Sequence, residues 1–154
     1  MKGLKTAVFG ITVLAALAFA GVGPGGAASG SSARPAAVAT GSSALGRIVV
    51  DSRGHTLYLF ERDRRGTSAC SGACLVYWPP LLTGKTPRAT MGARPSLLGS
   101  IRRADGTRQV TYAGHPLYFF SGDARRGQTN GEGLKDFGAA WYALTPSGKT
   151  IDRD

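Results

Sequence analysis

Apolar positions along this chain fall into short runs rather than a long helical period. Val, Ile, Tyr and Phe concentrate at 47–50, 55–60, 107–112, 116–120 and 140–144, each run bounded by Gly, Asp, Ser or Pro, and this pattern predicts strands joined by turns. No stretch past the N-terminal region sustains a 3.6-residue apolar period. The reading is therefore all-β. Alternation along the second run places Thr56, Tyr58 and Phe60 on one face and His55, Leu57 and Leu59 on the other; in the fourth run the sets are Pro116, Tyr118, Phe120 and His115, Leu117, Phe119. Both faces are largely apolar, so both are expected to be covered, with the aromatic residues dominating the core.

Comparing the chain with itself sharpens the pattern. Gly54-His55-Thr56-Leu57-Tyr58-Leu59-Phe60-Glu61-Arg62-Asp63 aligns without gaps on Gly114-His115-Pro116-Leu117-Tyr118-Phe119-Phe120-Ser121-Gly122-Asp123, with six of ten residues identical. A strand-like run precedes each copy, and Trp78 or Trp141 follows it. With tight turns at Ser52-Arg53-Gly54 and Ala113-Gly114, each copy reads as a β-hairpin or short meander. Two tandem copies predict a small sheet pair or barrel with pseudo-twofold symmetry.

The N-terminus reads differently. Lys2 and Lys5 precede the uncharged apolar run Ala7–Ala20, which is too short to favour a bilayer span and has the form of a secretory signal peptide. Small-residue cleavage sites end at Ala20 and at Ala28, and Pro24 favours the second. The expected organisation is a signal peptide over 1–28, a Ser/Gly/Ala-rich flexible linker over 29–44, and one domain over 45–154 holding repeats at about 45–80 and 105–148. No transmembrane segment is expected in the mature chain. With no Cys near either cleavage site, a lipid-modified N-terminus is not expected.

These residues resemble a known family: the secreted repeat of bacterial envelope proteins, often predicted lipoproteins, marked by a Y-x-(F/W/Y)-x-x-D motif. Tyr58, Phe60 and Asp63 satisfy it in the first copy, and Tyr118, Phe120 and Asp123 in the second. Cys70-x-x-x-Cys74 followed by Trp78-Pro79-Pro80, and Thr129-Asn130-Gly131-x-Gly133 ahead of Trp141-Tyr142, also look like that family. Many members carry a lipobox cysteine and this chain has none. The family is known as a repeat of unknown function, so the resemblance implies architecture and location more than chemistry.

Charge and reactive groups narrow the function. The chain of 154 residues has 19 Lys+Arg against 9 Asp+Glu, a formal net charge of +10. Removing 1–28 takes away only Lys2 and Lys5, so the excess belongs to the exported domain. Arg64-Arg65 and Arg125-Arg126 follow the motif aspartates in both copies, which suggests a shared basic edge. For an exported protein this points to anionic cell-envelope polymers or a membrane surface rather than nucleic acid.

Catalytic signatures are missing: there is no G-x-S-x-G elbow, no phosphate-cradling loop before a helix, and no H-E-x-x-H. A non-enzymatic module without cofactor is the expectation. Asp63 and Asp123, just past strand ends, are expected to bond amides of their own turns; a paired-carboxylate catalytic site is the sharper alternative. Cys70 and Cys74 are expected to form a disulfide in an oxidising compartment. The alternative is a small redox protein in which Cys70, Cys74, His55 and His115 hold copper or zinc, or the two imidazoles ligate haem.

Overall fold

The two-residue loop Ala44-Leu45 turns the chain back on itself between β1 (Ala37–Ser43) and β2 (Gly46–Asp51), which pair antiparallel from Ser43↔Gly46 to Val38↔Asp51. The computed structural model describes residues 34–151, and this hairpin stands almost at its start. It corrects the linker reading for residues 37–44. Val38 and Ala39 are wholly buried, and the small residues that resemble a tether are small for a packing reason: a Cβ on Gly41 would lie 3.3 Å from both γ-methyls of Val50. The expected signal peptide and the first part of the expected linker lie outside the described residues.

After β2 the turn at 52–54 reverses the chain, and Val50 bridges Thr56. β3 (Tyr58–Phe60) follows, then the short helix α1 (Cys74–Tyr77) and β4 (Arg88–Ala89), which adds in parallel to β1. The second copy repeats the plan. β5 (Leu98–Arg102) and β6 (Arg108–Tyr112) form its hairpin, and Ala113-Gly114, with φ of 51° and 83°, turn directly into β7 (His115–Pro116). Two successive left-handed residues match the twist of paired strands, which is why a tight turn succeeds here. β8 (Lys135–Asp136) and β9 (Ala139–Ala143) close the chain.

The all-β, two-repeat expectation holds, but the strands are not arranged as a sheet pair or a closed barrel. The described strands make three three-stranded sheets, ordered β2-β1-β4, β3-β9-β8 and β5-β6-β7. The reason lies in how the predicted runs 55–60 and 116–120 are shared. Leu57 and Leu117 still donate to their own hairpins, at Val49 and Val110. One residue later the chain changes partner: Tyr58 N–H donates to the Tyr118 carbonyl at 2.8 Å and Tyr118 N–H to that of Tyr58 at 3.0 Å. The two copies thus cross at equivalent residues, which gives the pseudo-twofold relation.

The predicted faces separate two cores. Tyr58, Phe60 and Tyr118 pack in one with Trp78 and Trp141; Leu57, Leu59 and Leu117 pack in the other with Val49, Val110 and Tyr112. Among the described residues no helix is long and apolar enough to cross a membrane.

Candidate functional site

The residues singled out by the repeat converge where the copies cross. Four rings stack in series, Phe60 on Trp141 (centroids 4.1 Å apart), Trp141 on Trp78 (3.9 Å) and Trp78 on Phe120 (4.5 Å). Tyr58 meets Trp78 edge-on at 5.4 Å and Tyr118 meets Trp141 edge-on at 5.2 Å. Each Trp therefore takes the Tyr of its own copy at its edge and the Phe of the other copy on its face. Edge and face contacts of this kind suit the ring quadrupole and add to the burial of the rings.

The tyrosine hydroxyls tie the copies together a second time. Tyr58 donates to Asp123 Oδ2 at 2.6 Å, and Tyr118 to Asp63 Oδ2 at 2.7 Å. The other oxygen of each carboxylate accepts a loop amide, Ala69 N–H at 2.7 Å for Asp63 and Asn130 N–H at 2.9 Å for Asp123. Each aspartate does hold a backbone amide, but six or seven residues further on rather than in its own turn, and a bond to the opposite copy is added to it. Burial, reinforced by the neighbouring carboxylate, holds both phenols well above the usual tyrosine range. Burial also raises the Asp63 carboxyl, against the lowering pull of Ala69 N–H, Tyr118 and Arg103. Each carboxylate is thus held by a tyrosine of the other copy and by a loop amide, and no hydrogen bond joins Asp63 to Asp123 among the described residues.

Around Tyr118 lies a polar chain that sequence reasoning missed. Arg103 is only 8% exposed. Its guanidinium donates to Ser68 Oγ at 2.8 Å, to the Cys70 carbonyl at 2.7 Å and to Gln109 Oε1, while Ser68 shares a hydrogen with Tyr118. Gln109 completes the chain by donating to the Leu117 carbonyl at 2.8 Å. The available signal was a mismatch between the copies: by strand pairing, Gln109 occupies the place of buried Ile48. A polar residue in an apolar repeat position needs a partner, and Arg103 supplies it.

Cys70 and Cys74 form the expected disulfide, with their Cα atoms 5.4 Å apart. The two sulfurs are bonded to each other, so neither is a free thiolate in this structure. His55 Nδ1 lies 3.5 Å from Asp51 Oδ2, whereas His115 is half-buried with its pKa lowered by burial and by Arg65. No cluster of three His, Cys, Asp or Glu residues is placed to hold a metal among the described residues.

The Thr129–Gly133 segment passes over the ring stack. A Cβ on Gly131 would lie 2.8 Å from Trp78 Cη2 and 3.0 Å from Tyr58 Cζ, so only glycine lets the backbone approach. The family model described as a secreted repeat of unknown function matches residues 39–82 and 99–145, more than half of the chain. The chain belongs to that family. No curated protein and no solved structure matches it significantly. In this secreted repeat the first matched unit starts inside β1, so the β1–β2 hairpin is part of the repeat, as β5–β6 is of the second. Tyr and Asp of the repeat motif are thus partners between copies, not within one.

Proposed function

We propose that the secreted domain is a non-catalytic binding module of the cell envelope or extracellular space, taking anionic polymers or a membrane surface on a basic face. The observation that supports this most is how the carboxylates are used. Asp51, Asp63, Asp123 and Glu132 accept hydrogen bonds from backbone N–H groups or tyrosine hydroxyls, and Asp105 accepts from Thr107. Acidic groups held in this way face amides and hydroxyls rather than the exposed arginines, and Asp105 pairs with the buried Arg103. Among the described residues the ion pairs are His55–Asp51 and Arg103–Asp105 alone. Arg53, Arg62, Arg64, Arg65, Arg125 and Arg126 are exposed and have no carboxylate partner among them. Such unpaired charge attracts polyanions over about a Debye length, near 8 Å at physiological salt.

The reading invokes no cofactor and no turnover. The experiment is retention of the purified chain on immobilised anionic wall polymer and on anionic vesicles in a salt series. Retention at low salt that is lost as salt rises is expected. Absence of binding at low salt, or binding that ignores salt, would overturn the reading.

A further inference from the structure

A cleft of about 290 Å³ opens between the first copy's 52–54 turn and the basic loop of the second copy. Arg53, Arg126, Ser42 and Ser52 line it. The crossing of the copies brings Arg126 there: Gly127 N–H donates to the Gly54 carbonyl at 3.0 Å, and a Cβ on Gly54 would lie 3.2 Å from Arg126 Cβ. The only carboxylate in the lining, Asp51, is already engaged. Its Oδ1 accepts the N–H groups of Arg53 and His55, both at 2.9 Å, and its Oδ2 faces His55 Nδ1. Arg47, bonded to Thr40 Oγ1 in the same lining, adds a third positive charge alongside.

What the cleft leaves open is a set of donors. Among the described residues the guanidiniums of Arg53 and Arg126 and the hydroxyls of Ser42 and Ser52 make no hydrogen bond or ion pair within the protein. Two planar guanidinium forks and two hydroxyls offer more hydrogens, from more directions, than the two coplanar oxygens of a carboxylate can accept. A phosphodiester also has only two charged oxygens, but these accept hydrogens all around their P–O axes rather than in one plane, which suits donors converging from several directions, and the volume leaves room for its ester arms. We propose that this cleft binds a phosphodiester, with Arg53 and Arg126 as the charged ligands and Ser42 and Ser52 as neutral donors. The inference rests on the envelope-binding reading above and names the anion and the place.

The test uses the secreted chain with four probes: poly(glycerol phosphate), polygalacturonate, phosphatidylglycerol vesicles and inorganic phosphate. Arg53→Gln/Arg126→Gln is compared with Arg108→Gln/Lys149→Gln, which removes the same charge outside the cleft. Both cleft arginines are exposed and their guanidiniums hold nothing in place, so an unchanged thermal transition is expected in the cleft variant; the control gives up one exposed bond, from Arg108 to Ser100 Oγ, and is compared at a temperature where both variants are fully folded. The cleft variant should lose about tenfold or more in affinity for poly(glycerol phosphate), and the control less than about threefold. Binding confined to the vesicles, with the same loss in the cleft variant, would support the site and assign the phosphate to a lipid headgroup. Equal losses in the two variants would overturn the cleft while leaving the envelope-binding reading standing. Equal affinity for polygalacturonate would overturn the phosphate assignment. If neither polymer nor vesicle binds, the broader reading fails, and inorganic phosphate then decides the cleft alone. Saturable shifts of the Gly54 and Gly127 amide resonances, lost in the cleft variant, would support it, and their absence would overturn it.

Discussion

The hydroxyl of Tyr58 donates to the carboxylate of Asp123 at 2.6 Å, and the two residues belong to different copies of the repeat. Its counterpart, Tyr118 to Asp63, runs in the opposite sense at 2.7 Å. Asp follows Tyr by five positions within each motif, yet the bond is made across the pseudo-twofold relation. Each copy's tyrosine is thus satisfied by the other copy, and the two are expected to unfold together.

Removing one of these hydroxyls should therefore destabilise the whole domain. Tyr118→Phe leaves Asp63 and Ser68 each short of a partner in a partly buried setting, at a cost of about 1–3 kcal/mol. Urea denaturation of Tyr118→Phe, Asp63→Asn and the double variant would give the coupling between them. A coupling energy near zero would show that the two residues act independently.

Gly131→Ala should cost about 1–3 kcal/mol, because the new methyl would overlap Trp78 and Tyr58 in a stack that has no free direction to relax. Gly133→Ala is a useful comparison, since its φ of 72° is strained for alanine but nothing lies near its Cβ. Near-ultraviolet circular dichroism of the Trp pair should change in the first variant and stay largely intact in the second.

Arg103→Ala strips donors from Ser68, Gln109 and the Cys70 carbonyl together, and a loss of about 2–4 kcal/mol is expected. Arg103→Lys keeps the charge but not the fork, so it should recover only part of that loss. Full recovery by lysine in a thermal unfolding series would show that charge, not geometry, is what the site needs.

His115 sets a pH dependence with a defined sign. Burial first, and Arg65 second, hold its pKa below the ordinary 6.5, so the folded state takes up the proton less readily than the unfolded chain. Stability should accordingly be lost as pH falls through the unfolded histidine range, and level off below the folded pKa. His115→Gln should flatten the unfolding free energy between about pH 7 and 5. Asp63 works the other way: with its carboxyl pKa raised, the folded state takes up the proton first, so stability is gained as pH falls from the folded pKa to the ordinary carboxylate value and is level below that. A stability loss in mild acid that survives His115→Gln would assign it to another group.

Phe137 and Gly138 form the two-residue turn between β8 and β9 with φ of 58° and 88°. A bulky side chain in the left-handed region costs on the order of 1 kcal/mol, and asparagine is the residue such turns favour. Phe137→Asn should raise the midpoint of thermal unfolding, less whatever the ring contact with Tyr77 contributes at 6.0 Å. A lower midpoint would show that the ring contact outweighs the strain.

Local patterning alone determined a good deal of this protein. Alternation of residue types along a strand is a property of the backbone, so the two faces of 55–60 and 116–120 were legible, and they do part into two cores. Self-similarity marked the Tyr, Phe and Asp positions, and the spacing of Cys70 and Cys74 allowed their disulfide. Tertiary structure decided what these residues do to one another. No local pattern says that Tyr58 bonds Asp123 rather than Asp63, or that Phe60 stacks on Trp141, because identical motifs can pair within a copy or between copies at equal cost in sequence. The same limit hid β1, whose Ala, Gly and Ser residues look like tether until Val50 is seen against Gly41, and Arg103, whose burial depends on a glutamine from the neighbouring strand. Contacts between distant segments depend on which surfaces the chain crossing brings together, and here that crossing also carries Arg126 to Arg53.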